Sequence, residues 1–268
     1  MTSKAVVQQL HVYPVKGLNG RSVHAVNVVP GLGIVGDRAF ALQFADRSPP
    51  EGDGAGRLMP FQTKDRLAVQ NDWPALAALT CEYDEVTRQL SVREGGQVAL
   101  HAMLTNEAAF RDVDAYFSAY LARHQPAPRA RHPEATPVRL IGGEGTRYPD
   151  RAAYDFSVMN LASLRALSAQ AGQSLDMRRF RGNVIIDGWE PWSELTLIGK
   201  RVVFGDAEFE VRSVIKRCLN TSVHPDRGVI DLNVLGAVGK SEGKGAFGIL
   251  LNAASPSSFK IGDEITIL

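Results

Sequence analysis

The residues best suited to chemistry lie in the segment 217–228, around one of only two cysteines in the chain. Lys216 and Arg217 directly precede Cys218, and nearby positive charge favours the thiolate form of a cysteine. Thiolate is the form that ligates metals or attacks electrophiles. The turn-forming residues that follow are Pro225, Asp226 and Gly228. The pattern predicts a reactive thiol at the end of a strand, held on a tight loop beside positive charge.

A structural role for the same cysteine is the competing interpretation. A lone cysteine is often a small buried hydrophobic residue with no chemical task. The flanking cations and the turn favour a functional thiol, because a buried structural cysteine gains nothing from them. On these residues alone both interpretations of Cys218 stay open.

Three basic residues stand at the ends of predicted elements: Lys16, Arg38 and Arg181. A phosphate group is bound by arginine forks or lysine point charges close to backbone N–H groups. Each of the three has a glycine within two positions (Gly17, Gly36 and Gly182), which lets a ligand approach the backbone. Taken singly, each is more often a solvated surface charge. We expect the three to converge on one cleft with Cys218.

Short strands are the elements that must position these residues. Alternating apolar residues predict strands at 6–13, 23–29, 39–44, 78–83, 89–93, 138–141, 183–187, 195–198, 201–204, 207–211, 247–253 and 261–268. Helices are predicted after Asn106, after Asn160 with a stop at Gly172, and within 229–238. Residues 45–60 are predicted to be a loop, and 125–137, with four prolines, a linker. Many short strands and few helices indicate a mainly β, α+β fold built on β-barrels.

Composition excludes several classes of protein. A net charge of +1 over 268 residues gives no reason to expect nucleic-acid or membrane binding. Cys81 and Cys218 form no disulfide framework, which suits a reducing cytoplasm, and two thiols cannot hold an iron–sulfur cluster alone. The first residues show no apolar run of the signal-peptide type, so we expect a cytoplasmic protein.

Four motifs, in order, resemble those of the MOSC-domain family, named after the C-terminal domain of molybdenum cofactor sulfurase. The motifs are Pro14-Val15-Lys16, Gly36-Asp37-Arg38, Arg179-Phe180-Arg181-Gly182-Asn183, and the cysteine motif Arg217, Cys218, Thr221, Val223, Pro225 and Gly228. The closing segment 260–265 is also similar to the family's last strand. The resemblance implies a MOSC-type β-barrel at 126–268 and an additional N-terminal β domain at 1–125, with strands near 1–44 packing on the barrel.

Likeness to the amidoxime-reducing branch of this family implies a molybdenum–pterin cofactor and reduction of N-hydroxylated small molecules. Cys218 would then ligate molybdenum and be the catalytic residue. The residues implied in holding the cofactor are Lys16, Arg38, Arg181, Asn183, Lys216 and Arg217. A separate electron-donor protein is implied, because the chain has no cluster of its own. Lys216 stands where a serine is common and His224 where an aspartate is common, which puts an acidic role at that turn in doubt.

Two other functions remain. In one, Cys218 is a sulfur carrier that receives persulfide sulfur from a pyridoxal-phosphate cysteine desulfurase for cofactor maturation, which requires an exposed thiol. In the other, the barrel binds a phosphorylated ligand without turnover. Molybdenum content distinguishes the reductase from both alternatives.

Overall fold

Strands dominate the fold, and the predicted mainly β, α+β class is confirmed. The computed structural model describes residues 4–47, 56–134, 136–150 and 155–268. The strands there are β1 (Ala5–Val12), β2 (Arg21–Val23), β3 (Ala25–Val29), β4 (Gly33–Ile34), β5 (Phe40–Phe44), β6 (Leu79–Asp84), β7 (Gln89–Glu94), β8 (Gln97–Met103), β9 (Val138–Gly142), β10 (Phe156–Asn160), β11 (Val184–Asp187), β12 (Arg201–Phe204), β13 (Ala207–Lys216), β14 (Ala246–Ala253), β15 (Ser257–Lys260) and β16 (Glu264–Ile267). The α-helices are α1 (Glu107–Ala122), α2 (Leu161–Ala171) and α3 (Val234–Lys240). Half of the loop predicted at 45–60, residues 48–55, lies outside the described residues.

Seven strands close into a barrel in the order β11, β10, β14, β13, β12, β16, β1, and β1 pairs back onto β11. The closing strand β1 comes from the beginning of the chain, with Val6 opposite Asp187 of β11 and opposite Glu264 of β16. The N-terminal strand therefore completes a barrel whose other strands lie beyond residue 155. This pairing carries the segment after Val12 to the part of the fold that holds Cys218.

Aromatic side chains fill the barrel. The rings of Phe156 and Phe209 meet edge to face with centroids 5.0 Å apart, and those of Phe204 and Phe259 meet at 5.1 Å. All four side chains are almost fully buried. A small barrel filled in this way has no room for a ligand inside, so a ligand site must lie outside the barrel wall.

A second core forms under the N-terminal part of the chain. The sheet β6-β7-β8, the pair β5–β9 and helix α1 surround it. Helix α1 begins where Asn106 caps it, since the Asn106 side chain accepts a hydrogen bond from the Ala109 backbone N–H at 3.0 Å. Trp73, Phe117 and Tyr120 are buried in this core. The face of α1 that carries Phe117 and Tyr120 is thus a packing face.

Some of the predicted elements are observed, and others differ in the structure. Helix α2 runs from its cap at Asn160 to Gly172, whose φ of 69° ends it as predicted. The strand expected at 195–198 is wrong, because residues Ser193–Thr196 form a 3₁₀ turn that buries the Glu194 side chain. The helix expected within 229–238 is shifted to Val234–Lys240. Strands β4, β8, β10 and β15 lie outside the predicted ranges.

Candidate functional site

A cavity of about 300 Å³ lies against β10, β13 and β14 on the outside of the barrel. Every residue that the sequence assigned to the site lines it: Lys16, Arg38, Arg181, Asn183, Lys216, Arg217 and Cys218. The expected convergence of Lys16, Arg38 and Arg181 with Cys218 is therefore observed. Eight cationic side chains but two carboxylates line the cavity, so among the described residues it is built for an anionic ligand.

Cys218 follows β13 directly and leads into a 3₁₀ turn at Leu219–Ser222. Its thiol is partly exposed and donates to the Asn71 side-chain oxygen at 3.5 Å. The Thr221 hydroxyl holds the loop by donating to the Cys218 carbonyl at 3.1 Å. The backbone of Cys218 is extended and unstrained. The thiol is thus presented to the cavity by a turn that is fixed on its own backbone.

Arg217 holds the loop that carries Cys218 in place. Its guanidinium donates to the Phe247 and Phe180 carbonyls at 2.8 and 2.9 Å, and to the Met159 sulfur at 2.9 Å. Burial lowers the pKa of Arg217 to about 10, so the side chain stays charged at neutral pH. Because the guanidinium binds both of these carbonyls, Arg217 connects the cysteine loop to β14 and to the 3₁₀ turn before Arg181.

Arg181 lines the cavity without a described carboxylate partner. It caps the 3₁₀ turn Met177–Phe180 with a left-handed φ of 52°, and its guanidinium lies 4.6 Å from the centre of the Tyr13 ring. Its polar contact is with the Asn19 side-chain oxygen at 3.4 Å, and no described carboxylate forms an ion pair with it. Burial, reinforced by Arg38, lowers the pKa of Arg181 to about 10. An anion at this position would relieve an uncompensated buried charge.

The Asp37 carboxylate orients the Arg38 side chain. Its carboxylate, fully buried, pairs with Arg38 and with Arg147, the latter at 3.0 Å. Burial opposes ionisation, but the two arginines outweigh it and hold the pKa of Asp37 below its usual range. The Arg38 guanidinium also donates to the Arg181 carbonyl at 3.3 Å. Arg38 is therefore held facing the cavity by a carboxylate that it shares with Arg147.

Asn183 uses its side chain inside the protein. Its amide oxygen accepts from the Ser157 hydroxyl at 2.8 Å, and its amide nitrogen donates to Asp37 at 2.9 Å and to the His11 carbonyl at 3.2 Å. These bonds join β1 and the Asp37 carboxylate to β10. Asn183 lines the cavity, and its geometry is that of a residue that positions the cations around it.

Lys16 is almost fully buried at the other side of the cavity. Its ammonium donates to the Tyr148 and Pro149 carbonyls at 3.0 and 2.8 Å and to the Asp150 carboxylate at 2.8 Å. Burial lowers the pKa of Lys16 to about 8 against the attraction of Asp150. Lys64 pairs with the same carboxylate at 2.7 Å. The two lysines and Asp150 form one charged group on the cavity wall.

Lys216 and His224 are the departures from the family pattern. Lys216 is exposed at the end of β13, and its ammonium donates to the Lys244 carbonyl at 3.0 Å. The His224 ring nitrogen Nδ1 accepts from the backbone N–H groups of Asp226 and Arg227 at 3.1 and 3.2 Å. His224 therefore serves the turn, and Lys216 adds charge at the cavity rim.

Sequence reasoning missed several residues that line the same cavity. These are Lys64, Gln70, Asn71, Arg147, Asp150 and Asn220. The first three lie between the predicted loop at 45–60 and the turn at Pro74, where no motif or periodicity draws attention to them. Asn220 lies inside the cysteine motif, at one of its unspecified positions. Only the spatial neighbourhood of Cys218 identifies this set.

The donor set fits a cofactor that brings its own metal ligands. No group of three or more His, Cys, Asp or Glu side chains within the described ranges could hold a metal ion. A single soft thiol next to many N–H donors suits a metal that arrives bound to an anionic organic group. The buried side-chain nitrogen Nε2 of Gln70 lacks a partner among the described residues and is available to such a group. No helix in the described part of the chain has both the length and the apolar character needed to cross a membrane.

Comparison with known proteins agrees with the four motifs. The MOSC N-terminal beta barrel domain matches residues 4–124 and the MOSC domain matches residues 145–266. The chain is similar to mitochondrial amidoxime-reducing component 1 of Homo sapiens, with 23% identity over 98% of this chain and 82% of that protein. The corresponding Mus musculus protein is 26% identical over 84% of this chain and 67% of its own length. Molybdenum cofactor sulfurase of Drosophila mojavensis is 32% identical over 36% of this chain, which is 12% of that protein.

Both domain matches together span most of the chain, and they occur in the order that the motifs predicted. The seven-stranded barrel formed by β1 and the C-terminal strands agrees with them. The chain belongs to the MOSC family, with a MOSC N-terminal β-barrel domain followed by a MOSC domain, a family associated with the molybdenum cofactor.

Proposed function

We propose that the chain binds a molybdenum–pterin cofactor in the cavity and is a reductase of N-hydroxylated compounds. The observation that carries the proposal is the placement of the Cys218 thiol in a cavity whose cations outnumber its carboxylates eight to two. A thiolate supplies a soft ligand to molybdenum. The surplus positive charge suits the phosphate of the cofactor. Similarity to amidoxime-reducing components over most of the chain supports the reaction class.

Each residue has a distinct task in this proposal. Cys218 ligates the metal through its thiolate, which gives up the hydrogen bond that the thiol donates to the Asn71 amide oxygen at 3.5 Å. Arg181 holds the anionic part of the cofactor, because it lines the cavity and its polar contact is with the neutral Asn19 side chain and with no described carboxylate. Arg38 adds a second positive charge, positioned by Asp37 and Asn183. Arg217 keeps the cysteine loop in register with β14.

The bound cofactor would supply two-electron chemistry, so that an N–O bond is cleaved with uptake of two electrons and two protons and release of water. The electrons must come from a separate electron-donor protein, since two cysteines cannot build a cluster in this chain. The substrate is a small molecule. The cavity volume of about 300 Å³ is at the lower end of ligand pockets.

Metal analysis tests the proposal. The protein is purified from a host that makes the cofactor, and its molybdenum and pterin contents are measured per chain. We expect close to one of each, and reduction of an amidoxime when a chemical electron donor such as a reduced viologen is supplied. Protein without molybdenum, or fully loaded protein that does not reduce the amidoxime, would contradict the proposal.

A sulfur carrier is the second candidate, favoured by the partial exposure of the thiol and by the match to molybdenum cofactor sulfurase. In that case Cys218 accepts sulfur as a persulfide from a pyridoxal-phosphate cysteine desulfurase. Sulfur released by cyanide from metal-free protein, and absent in Cys218→Ser, would identify the carrier. A reductase releases no such sulfur when it is free of metal.

A further inference from the structure

One buried amide in the cavity has a donor that the protein does not use. Gln70 is 4% exposed and lines the cavity, and its Nε2 atom has no hydrogen-bond partner in the described part of the chain. Buried amide donors are nearly always satisfied, because an unmade hydrogen bond inside a protein is costly. A buried, unpartnered donor on a cavity wall therefore points to a ligand that completes it.

A second unused group lines the same cavity. Asn220 also lines the cavity, and its Oδ1 atom is buried with no partner among the described residues. The neighbouring amide of Asn71 differs, because its oxygen already accepts from the Cys218 thiol at 3.5 Å. Gln70 adjoins Asn71 in sequence, and Asn220 lies two positions after Cys218. Gln70 and Asn220 therefore bring a free donor and a free acceptor to the cavity that Asn71 and Cys218 also line.

We infer that Gln70 and Asn220 form a polar subsite that binds a planar edge in which an acceptor stands next to an N–H or O–H donor. The Gln70 amide nitrogen would donate to the acceptor, and the Asn220 oxygen would accept from the neighbouring donor. Amidoximes and the ring edge of a pterin share this arrangement. The inference deepens the proposed function and rests on it for the choice of these two ligands.

The subsite explains why amides, and not charged groups, occupy these two positions. Eight cations already supply charge to the cavity, but a neutral planar edge needs paired donors and acceptors. A site that hydrogen-bonds a polar edge discriminates strongly against analogues that lack it, because its own buried groups are then left unpaired. Gln70 and Asn220 would thus select the ligand, while the cations retain it.

The test compares Gln70→Leu and Asn220→Leu with Gln43→Leu, a change at a buried glutamine whose amide bonds to Gln62 at 3.4 Å and that does not line the cavity. Binding of acetamidoxime and of 6-hydroxymethylpterin to cofactor-free protein is measured by calorimetry. We expect at least a fivefold weaker binding of one of the two probes in both cavity variants, with the Gln43→Leu protein like wild type. Weakening for acetamidoxime alone identifies a substrate subsite, and weakening for the pterin alone a cofactor subsite.

Equal binding of both probes in wild type and the two cavity variants would overturn the inference, as would a wild-type protein that binds neither probe. Gln70→Glu replaces the donor with an acceptor at nearly constant volume, and it carries the same test if Gln70→Leu does not fold. The proposed function fails separately, when protein from a cofactor-producing host contains no molybdenum, because probe binding needs neither metal nor turnover.

Discussion

The thiol of Cys218 lies 3.5 Å from the side-chain oxygen of Asn71, a residue 147 positions earlier in the chain. This contact joins the loop after β13 to the segment before β6. Asn19 makes a second link between the two parts, since its amide donates to the Ala77 and Pro225 carbonyls at 2.6 and 2.5 Å. The candidate site is therefore shared by the N-terminal and C-terminal parts of the chain.

The two cysteines should differ in reactivity. Cys81 is fully buried, and burial raises the pKa of its thiol, whereas Cys218 is partly exposed beside two cations. In native, cofactor-free protein at neutral pH we expect iodoacetamide to label Cys218 at least tenfold faster than Cys81. Labelling in denaturant serves as the control, where the two rates should become similar. Faster labelling of Cys81 in the folded protein would contradict the assignment of Cys218 as the accessible thiol.

Arg181→Ala should reduce cofactor retention without affecting the thiol. The arginine has no described carboxylate partner, so its charge is available to an anionic ligand. We expect molybdenum content to fall at least fivefold, while the rate of Cys218 alkylation in cofactor-free protein stays within twofold of wild type. Arg165→Ala, which breaks an exposed ion pair with Asp187, is the matched control. Unchanged molybdenum content in Arg181→Ala would remove this residue from the site.

The burial of Lys16 should leave a signature in the pH dependence of stability. Its pKa is lowered from 10.5 to about 8 by burial, so at neutral pH the lysine is charged in both states and the folded state is penalised. Between about pH 8 and 10.5 the unfolded chain binds more protons, and the free energy of unfolding rises with pH. Relative to Lys16→Met, wild type should gain up to about 3 kcal/mol across this window.

Urea unfolding at several pH values between 7 and 10.5 measures this difference. The exposed Lys260→Met variant is the control. Parallel pH profiles of wild type and Lys16→Met would show that the Lys16 ammonium is not penalised by burial.

Gly228 fixes the end of the cysteine loop against the N-terminal part of the chain. Its φ is +62°, and a Cβ there would lie 2.7 Å from the Ala75 Cα and 2.9 Å from the Ala75 carbonyl oxygen. Gly228→Ala should therefore cost roughly 3 kcal/mol and speed alkylation of Cys218 as the loop shifts. Gly199→Ala has a similar φ of +79° but no neighbour within 4 Å, so strain alone should cost about 1 kcal/mol. Equal losses of stability in the two variants would contradict this packing.

Local signals were sufficient for elements whose ends are chemically marked. Asn106 and Asn160 each accept a backbone hydrogen bond at a helix start, and Gly172 ends α2 in a left-handed conformation, as their types predicted. The wrong strand at 195–198 shows the limit of apolar alternation. There the Glu194 carboxylate accepts from the Ser163 hydroxyl at 2.7 Å and from the Asn160 amide at 3.0 Å, and these tertiary bonds select a turn.

The site residues that could be predicted are the basic ones that stand close to a glycine within a motif. The neutral amides of the site could not be predicted, because their partners come from distant parts of the chain. Lys16, Arg38 and Arg181 converge as expected. The inward bonds of Asn183 could not be read from its motif, because its partners Ser157 and Asp37 come from distant segments. Gln70 and Asn71 belong to no pattern, and only the folded chain brings them to Cys218.

The central claim is that Cys218 is the protein ligand to a bound molybdenum, and Cys218→Ser tests it most directly. Serine keeps the size nearly constant but is a poor ligand at neutral pH, since its hydroxyl rarely ionises. Molybdenum per chain is measured in wild type and Cys218→Ser from the same cofactor-producing host, alongside the melting temperature of both cofactor-free proteins. The account predicts unchanged melting, molybdenum reduced at least tenfold and no amidoxime reduction in the variant. Full molybdenum content with full turnover in Cys218→Ser would contradict it.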